Sequence, residues 1–237
     1  MMKDLKLKNE LVYYLIKGAL VFLLFCFIDY IEYIPLILLK IKTISGALAV
    51  ILNTMKNVIL AGILFIVYRK DLLREWDIFK ANAVDNLDTG TKYWFLGLVG
   101  MIVSNTLINL LFKTGAAGNE QAVQSYINYL PWLMLINAGI IGPFCEEIVF
   151  RKAFKDVFKN KWAFVIMSGF VFGLLHVIGS YNSWVDILFI FPYGFLGSAF
   201  AMAYYETDTI FTSYFLHFFH NTILILSSII TGLLFLI

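Results

Sequence analysis

Seven stretches of this chain, 11–28, 44–68, 93–112, 127–149, 162–178, 185–204 and 210–237, are almost wholly apolar. Each is near the length of about 20 residues that a helix needs to cross the hydrocarbon of a bilayer. Lipid offers the backbone no hydrogen bonds, so spans of this kind must satisfy their own amides and carbonyls as helices. The pattern therefore predicts an all-α fold, a polytopic transmembrane helix bundle of about 7–8 crossings. The eighth arises if the long final run breaks into two pieces. Composition agrees: 61% of the 237 residues are hydrophobic and 14% are charged, against about 45–50% and about 25% in a soluble domain.

Lys3, Lys6 and Lys8 precede the first run without a small-x-small cleavage site after it, which predicts a retained first helix rather than a removed leader. A second short apolar patch, 34–39, follows Asp29 and Glu32 and predicts an interfacial helix. The segment 69–92, with Trp76, Ile78 and Phe79 among charges, reads as an amphipathic connection lying on the membrane. Basic residues fall in three regions on one side of the bundle: the N-terminus, 69–92 and 152–161. The opposite side has little beyond Lys40, Lys42 and Lys113. Positive charge concentrates in cytoplasmic loops, so the N-terminus is expected in the cytoplasm of a cell with this chain in its plasma membrane. Two parts are expected within one membrane domain: spans and amphipathic loop over 1–125, and a chemistry-bearing core over 126–237. Nothing resembles a nucleic-acid footprint; the bilayer and a peptide or protein at the membrane are the expected partners.

Ionisable groups inside apolar spans are costly and mark interior or functional positions. Here they cluster. Glu146 and Glu147 close one span, and His176, His217 and His220 lie in the last third. On a helix Glu147 and Arg151 share a face and suit an ion pair, while Glu146 points about 100° away. Pro143 favours a kink beside them, and Gly139 and Gly142 permit close helix approach. Phe172 and His176 share one face, with Gly169 and Gly173 in a GxxxG spacing on the same helix. His217 and Asn221 stack four apart, and His220 flanks them. Counting about 1.5 Å per residue from the basic loops puts Glu146 and His217 roughly 13 Å deep and His176 roughly 22 Å deep. A cavity open toward the cytoplasmic half is the expected meeting place.

Groups of this kind can hydrolyse an amide in two ways. A glutamate with a histidine activates water while a second histidine and an asparagine amide support an oxyanion. Alternatively, Glu146, His176 and His217 ligate zinc and its bound water. The cofactor is thus none or zinc. Cys26 and Cys145 lie in different spans and read as small hydrophobes; Lys17 and Lys56 read as snorkelling or cavity-facing.

Glu146-Glu147-Ile-Val-Phe-Arg151, Phe172-Gly-Leu-Leu-His176 and His217-Phe-Phe-His-Asn221 resemble, in order, the EExxxR, FxxxH and HxxxN motifs of the CPBP family. These are the CAAX proteases and bacteriocin-processing enzymes, also called Abi proteins. The resemblance covers about 128–230, and Lys152 stands where a glycine often follows the arginine. It implies an intramembrane endopeptidase in which Glu146 and His176 activate water and His217 and Asn221 stabilise the oxyanion. Glu147, Arg151 and Phe172 would support the site. It also implies maturation of a bacteriocin or signalling-peptide precursor, or self-immunity. HExxH, GxGD and GxSG signatures of other intramembrane proteases are missing from the sequence. Two rival readings are a non-catalytic bacteriocin-immunity protein and a small proton-coupled transporter; the latter predicts inverted repeats, which the sequence lacks.

Overall fold

A computed structural model describes residues 2–234, with side chains described over 9–232. The side chains of Lys3, Lys6 and Lys8, and the end of the final apolar run, lie outside the described residues. Helix α1 (Met2–Phe27) passes through a 3₁₀ turn, Ile28–Glu32, into the short α2 (Tyr33–Leu38). Then come α3 (Gly46–Ala81), α4 (Ala83–Phe112) and α5 (Gly118–Ile127). The fourth span, Pro131–Val157, alternates α6 (Pro131–Met134), a π segment Leu135–Ile141, α7 (Gly142–Glu147), a π segment Ile148–Lys152 and α8 (Ala153–Val157). Helix α9 (Lys161–Ile178), a 3₁₀ turn Trp184–Phe189, α10 (Ile190–Thr207) and α11 (Ile210–Leu234) follow.

Seven of the described helical stretches are long and apolar enough to span a membrane. The final run is one helix as far as Leu234, so the described residues contain no eighth crossing. The expected interfacial helix at 34–39 is α2, joined directly to the first span.

The segment 69–92 differs from its expectation. It is not a loop but the end of α3 and the start of α4, broken only at Asn82 (φ −137°, ψ 36°). Its charges explain this, because they fall at helical spacings: Arg74 to Asp71 (3.4 Å), Lys80 to Asp77 (2.9 Å) and Lys92 to Asp88 (2.6 Å). Such pairs support helix without help from lipid. At about 1.5 Å per residue α3 runs roughly 54 Å, well beyond a hydrocarbon core of about 30 Å. Its end turns Leu72, Glu75 and Phe79 inward. There Glu75 caps α11: the Ile210 amide donates to its Oε2 (2.9 Å), Tyr204 donates to its Oε1 (3.0 Å), and Thr209 donates to its backbone carbonyl (2.8 Å). A carboxylate supplied by another helix thus satisfies one of the orphan amides at the N-terminus of α11.

The basic regions meet at this same end. Lys152 approaches Asp71 (3.9 Å), Lys155 pairs with Asp208 (2.8 Å), and Lys161 pairs with Glu206. Lys17 lies over the Tyr68 ring at 3.6 Å and near Asp71 at 3.9 Å. Lys56 is paired rather than free, at 2.7 Å from Asp29 and 3.2 Å from Glu32.

Helices α9 and α10 pack with almost no space between backbones. A Cβ added at Gly173 would sit 2.5 Å from the Ile190 carbonyl oxygen and 3.0 Å from the Gly194 amide nitrogen. At Gly169 it would meet Ser198 Oγ at 2.0 Å and the Gly194 carbonyl oxygen at 2.7 Å. The GxxxG spacing therefore works as a contact surface, on the helix that carries Phe172 and His176. Gly173→Ala must push α10 away, and we expect a loss of about 1–3 kcal/mol, read as a lower melting temperature in detergent. An unchanged melt would show that the contact is not tight.

Candidate active site

The fourth span departs from regular α-helix on both sides of the two glutamates. In a π turn the amide bonds five residues back, which widens the helix and frees carbonyls; such turns concentrate at functional sites. Each π segment here has a carbonyl taken by a neighbouring helix. Asn221 Nδ2 donates to the Ala138 carbonyl (2.9 Å), and Ser168 Oγ donates to the Phe150 carbonyl (2.7 Å). The first is held on its other side by amides: Asn57 donates to Asn137 (2.8 Å), and Asn137 donates to Asn53 (2.7 Å). Gly139 lets α11 approach, since a Cβ there would meet Thr222 Oγ1 at 3.1 Å. Gly142 plays no such part, its nearest obstacle being the Asn137 carbonyl of its own span.

Between the π segments, two adjacent carboxylates have separate environments. Glu147 is 1% exposed. Its Oε1 accepts from His217 Nδ1 (2.9 Å), and its Oε2 lies 3.4 Å from Arg151 Nε. Arg151, fully buried, rests among rings, with its guanidinium carbon 4.6 Å from the Phe172 centroid, 5.7 Å from Phe200 and 6.0 Å from Phe150. The expected Glu147–Arg151 pair is present. The bond from Glu147 to His217 is an addition that spacing within one helix could not reveal, because it joins residues 70 apart.

Glu146 faces elsewhere. Its Oε2 has no hydrogen-bond partner and lies 3.6 Å from His217 Nε2. That separation suits a bridging water better than a direct bond. His217 thus stands between the carboxylates, with Nδ1 toward one and Nε2 toward the other, and its ring stacks on Phe200 at 4.6 Å. His176 directs Nδ1 at the Phe172 carbonyl (2.8 Å). Since a carbonyl only accepts, Nδ1 carries the proton, and Nε2 of the neutral ring is left as an acceptor. Phe172 links the two histidines, its centroid 4.2 Å from His176 and 5.8 Å from His217. Tyr193 stacks on the other side of His176 at 4.7 Å.

A cavity of about 290 Å³ reaches His176, His217, His220 and Asn221. Glu146 approaches this group through His217 rather than by lining the cavity. His220 is buried against Trp94 at 6.4 Å between centroids. Cys145 is buried with Sγ 3.7 Å from the Asn57 carbonyl, away from the cavity lining, as its reading as a small hydrophobe requires.

The zinc set expected as an alternative is not assembled. Among the described residues no three His, Cys, Asp or Glu side chains converge to hold a metal ion. Both histidines commit Nδ1 to an acceptor and leave Nε2 free, an arrangement shared by metal-ligating histidines. It is the spacing of Glu146, His176 and His217, not their hydrogen bonding, that leaves the zinc set unassembled here.

The location of the cavity also departs from expectation. It opens at the end of the bundle opposite the basic loops, beneath α5, not in the half that carries Lys152, Lys155 and Lys161. His176 lies two residues from the far end of α9, at Ile178, and the cavity opens at that end rather than beside the shallower Glu146 and His217.

Comparison with known proteins places this geometry. Residues 128–223 match the family model described as Type II CAAX prenyl endopeptidase Rce1-like. The chain is 28% identical over 137 residues to "Putative membrane peptidase YdiL" of Bacillus subtilis (strain 168), covering 56% of this chain and 52% of that protein. It is 28% identical over 172 residues to an uncharacterized protein of Mycoplasma capricolum, covering 62% and 50%. It is 32% identical over 91 residues to UPF0177 protein YbdI of Lactococcus lactis, covering 35% and 50%. The chain thus spans about half the length of the curated relatives it matches. No solved structure matches it.

Glu147→Ala would leave Arg151 buried without its carboxylate and His217 without its Nδ1 partner. We expect a loss of about 3–5 kcal/mol, measured as a fall in detergent melting temperature, with Glu147→Gln losing less. A wild-type melt for Glu147→Ala would mean that this carboxylate ties nothing together.

Proposed function

We propose, from the membership of residues 128–223 in the CAAX-protease (CPBP) family, that this chain is an intramembrane endopeptidase. It cleaves a peptide bond in a membrane-associated peptide or protein precursor. The observation that carries the reading is the unpartnered Glu146 Oε2 beside a histidine that Glu147 holds in place. A carboxylate with a free lone pair in a poorly hydrated site is a competent general base.

The steps follow from the donors and acceptors on hand. Water donates one hydrogen bond to Glu146 and the other to the bare Nε2 of His176. Glu146 takes a proton as the oxygen adds to the scissile carbonyl carbon. The resulting oxyanion accepts from Asn221 Nδ2, which has a second N–H beyond the one given to Ala138, and from His217 Nε2 when that ring is doubly protonated. An imidazolium is electrostatically suited to this place, with Glu147 at one nitrogen and Glu146 near the other. Glu146 then passes its proton to the leaving nitrogen as the C–N bond breaks, giving a carboxylic acid and an amine. The bundle sits in a bacterial plasma membrane with its basic end in the cytoplasm, and the precursor is of the bacteriocin or signalling-peptide kind. Asn221 has a double part in this reading: it shapes the π segment and donates to the reacting oxygen.

Purified protein with Glu146→Gln should cleave a precursor about 10²–10⁴-fold more slowly than wild type, with an unchanged melting temperature, and a chelator should leave wild-type cleavage intact. Cleavage that survives Glu146→Gln would remove the glutamate from the chemistry, and cleavage abolished by chelator and restored by zinc would replace this mechanism with a metal one. A wild-type protein that cleaves no precursor would favour an immunity protein that binds without cutting.

A further inference from the structure

Most groups lining the cavity lie in one half of the bundle, with His217, seven residues into α11, reaching toward the other. From α4 they are Asn105 and Thr106, near its Phe112 end; from α10, Pro192 and Tyr193, near its start; from α9, His176, near its end. Helix α5, which lines the cavity through Asn119, Glu120 and Gln124, lies wholly at that end, because it joins the far ends of the third and fourth spans. The basic residues Lys152, Lys155, Lys159 and Lys161 lie at the other end, beside Asp71, Glu206 and Asp208.

A second observation argues for a wet mouth. Asn105 and Thr106 are exposed polar side chains within an apolar span, and both line the cavity. Facing lipid, an amide would be left without partners at considerable cost; facing a water-filled cleft, it would not. Ile102 and Leu224 also line the cavity while exposed on the outside of the bundle. The cleft between α4 and α11 therefore opens to the membrane as well as to the aqueous face below α5. Among the described residues the rim carries Glu120, and no Lys or Arg lines the cavity.

Positive charge marks the cytoplasmic end of a membrane protein. We propose that the active site is reached from the extracytoplasmic side, through the cleft bounded by α4, α5 and α11. Its substrate is then the outward-facing portion of a membrane-anchored peptide precursor, cut in or just outside the outer leaflet. This rests on the peptidase reading for the cutting step, but the access route is testable without activity.

The test uses full-length protein in intact cells, with Cys26 and Cys145 replaced by Ala, and a membrane-impermeant maleimide. Ser125→Cys, on the exposed surface of α5, should label fully in intact cells. Asp77→Cys, whose parent side chain is 75% exposed at the basic end of α3, should label only after permeabilisation. Asn105→Cys should label from outside, since a thiol reacts with this reagent only where water reaches it. Labelling of Asp77→Cys but not Ser125→Cys in intact cells, or of both, would overturn the orientation. An Asn105→Cys that stays unlabelled even after permeabilisation would overturn the wet entrance. Glu146→Gln in the same background should leave all three patterns intact while abolishing cleavage, so failure of the peptidase reading and failure of this one are separable.

Discussion

The buried carboxylate of Glu147 is the contact on which the rest of the site depends. A charge taken from water into the centre of a membrane bundle is tolerated only when it is paired and geometrically satisfied. Glu147 meets that condition by dividing its oxygens, one toward His217 on α11 and the other toward Arg151 one turn along its own span. Beyond this ion pair Arg151 has no hydrogen-bond partner among the described residues and is surrounded by Phe150, Phe172 and Phe200. Ring faces attract a desolvated guanidinium, and the planar group suits such a slot in a way that an ammonium would not. Removing Glu147 therefore disturbs two spans together. His217 is oriented by the same atoms that hold the bundle.

Lipid supplies no hydrophobic pressure between helices, so close packing and polar contacts must hold spans together. Both devices converge on the site. Glycines at 169, 173 and 194 bring α9 and α10 near enough that Phe172 can serve Arg151, His176 and His217 at once. Amides at 53, 57, 137 and 221 hold the first π segment from two sides. Glu75 fixes the start of α11, and with it the register of His217 and Asn221. Asn221 alone among these also belongs to the proposed chemistry; the other contacts determine where its groups lie.

The residues of the site were legible in the sequence because charge inside an apolar run is costly: Glu146, Glu147, Arg151, His176 and His217 had to be there for a reason. The number of spans was legible from length alone. Three things were not. The hydrogen bond from Glu147 to His217 crosses 70 residues and leaves no periodic trace. The π segments look like ordinary helix in sequence, because what sustains them are side chains of other helices, Asn221 and Ser168. The opening of the cavity was misjudged because the shallower Glu146 and His217 were taken to set it, whereas it follows His176, almost at the far end of α9. Likewise 69–92 looked like a surface segment when its ion pairs in fact make it helix.

Two adjacent glutamates that share a span would be redundant if their surroundings were alike. They are not, because a step of about 100° around a helix sends one toward Arg151 and the other toward the space beside His217 Nε2. The first has its charge compensated by Arg151 and one oxygen given to His217, which suits it to orient rather than to take a proton. The second keeps an uncommitted oxygen in a place only 21% exposed, where a proton acceptor is scarce and water is confined. Different environments for neighbouring carboxylates are a general route to different roles. The π turns on either side set the rotation of α7 relative to the rest of its span, and so where this divergent pair points. A regular α-helix through 135–152 would aim both carboxylates differently against α11. The irregular backbone is thus part of what holds Glu146 and Glu147 in separate environments.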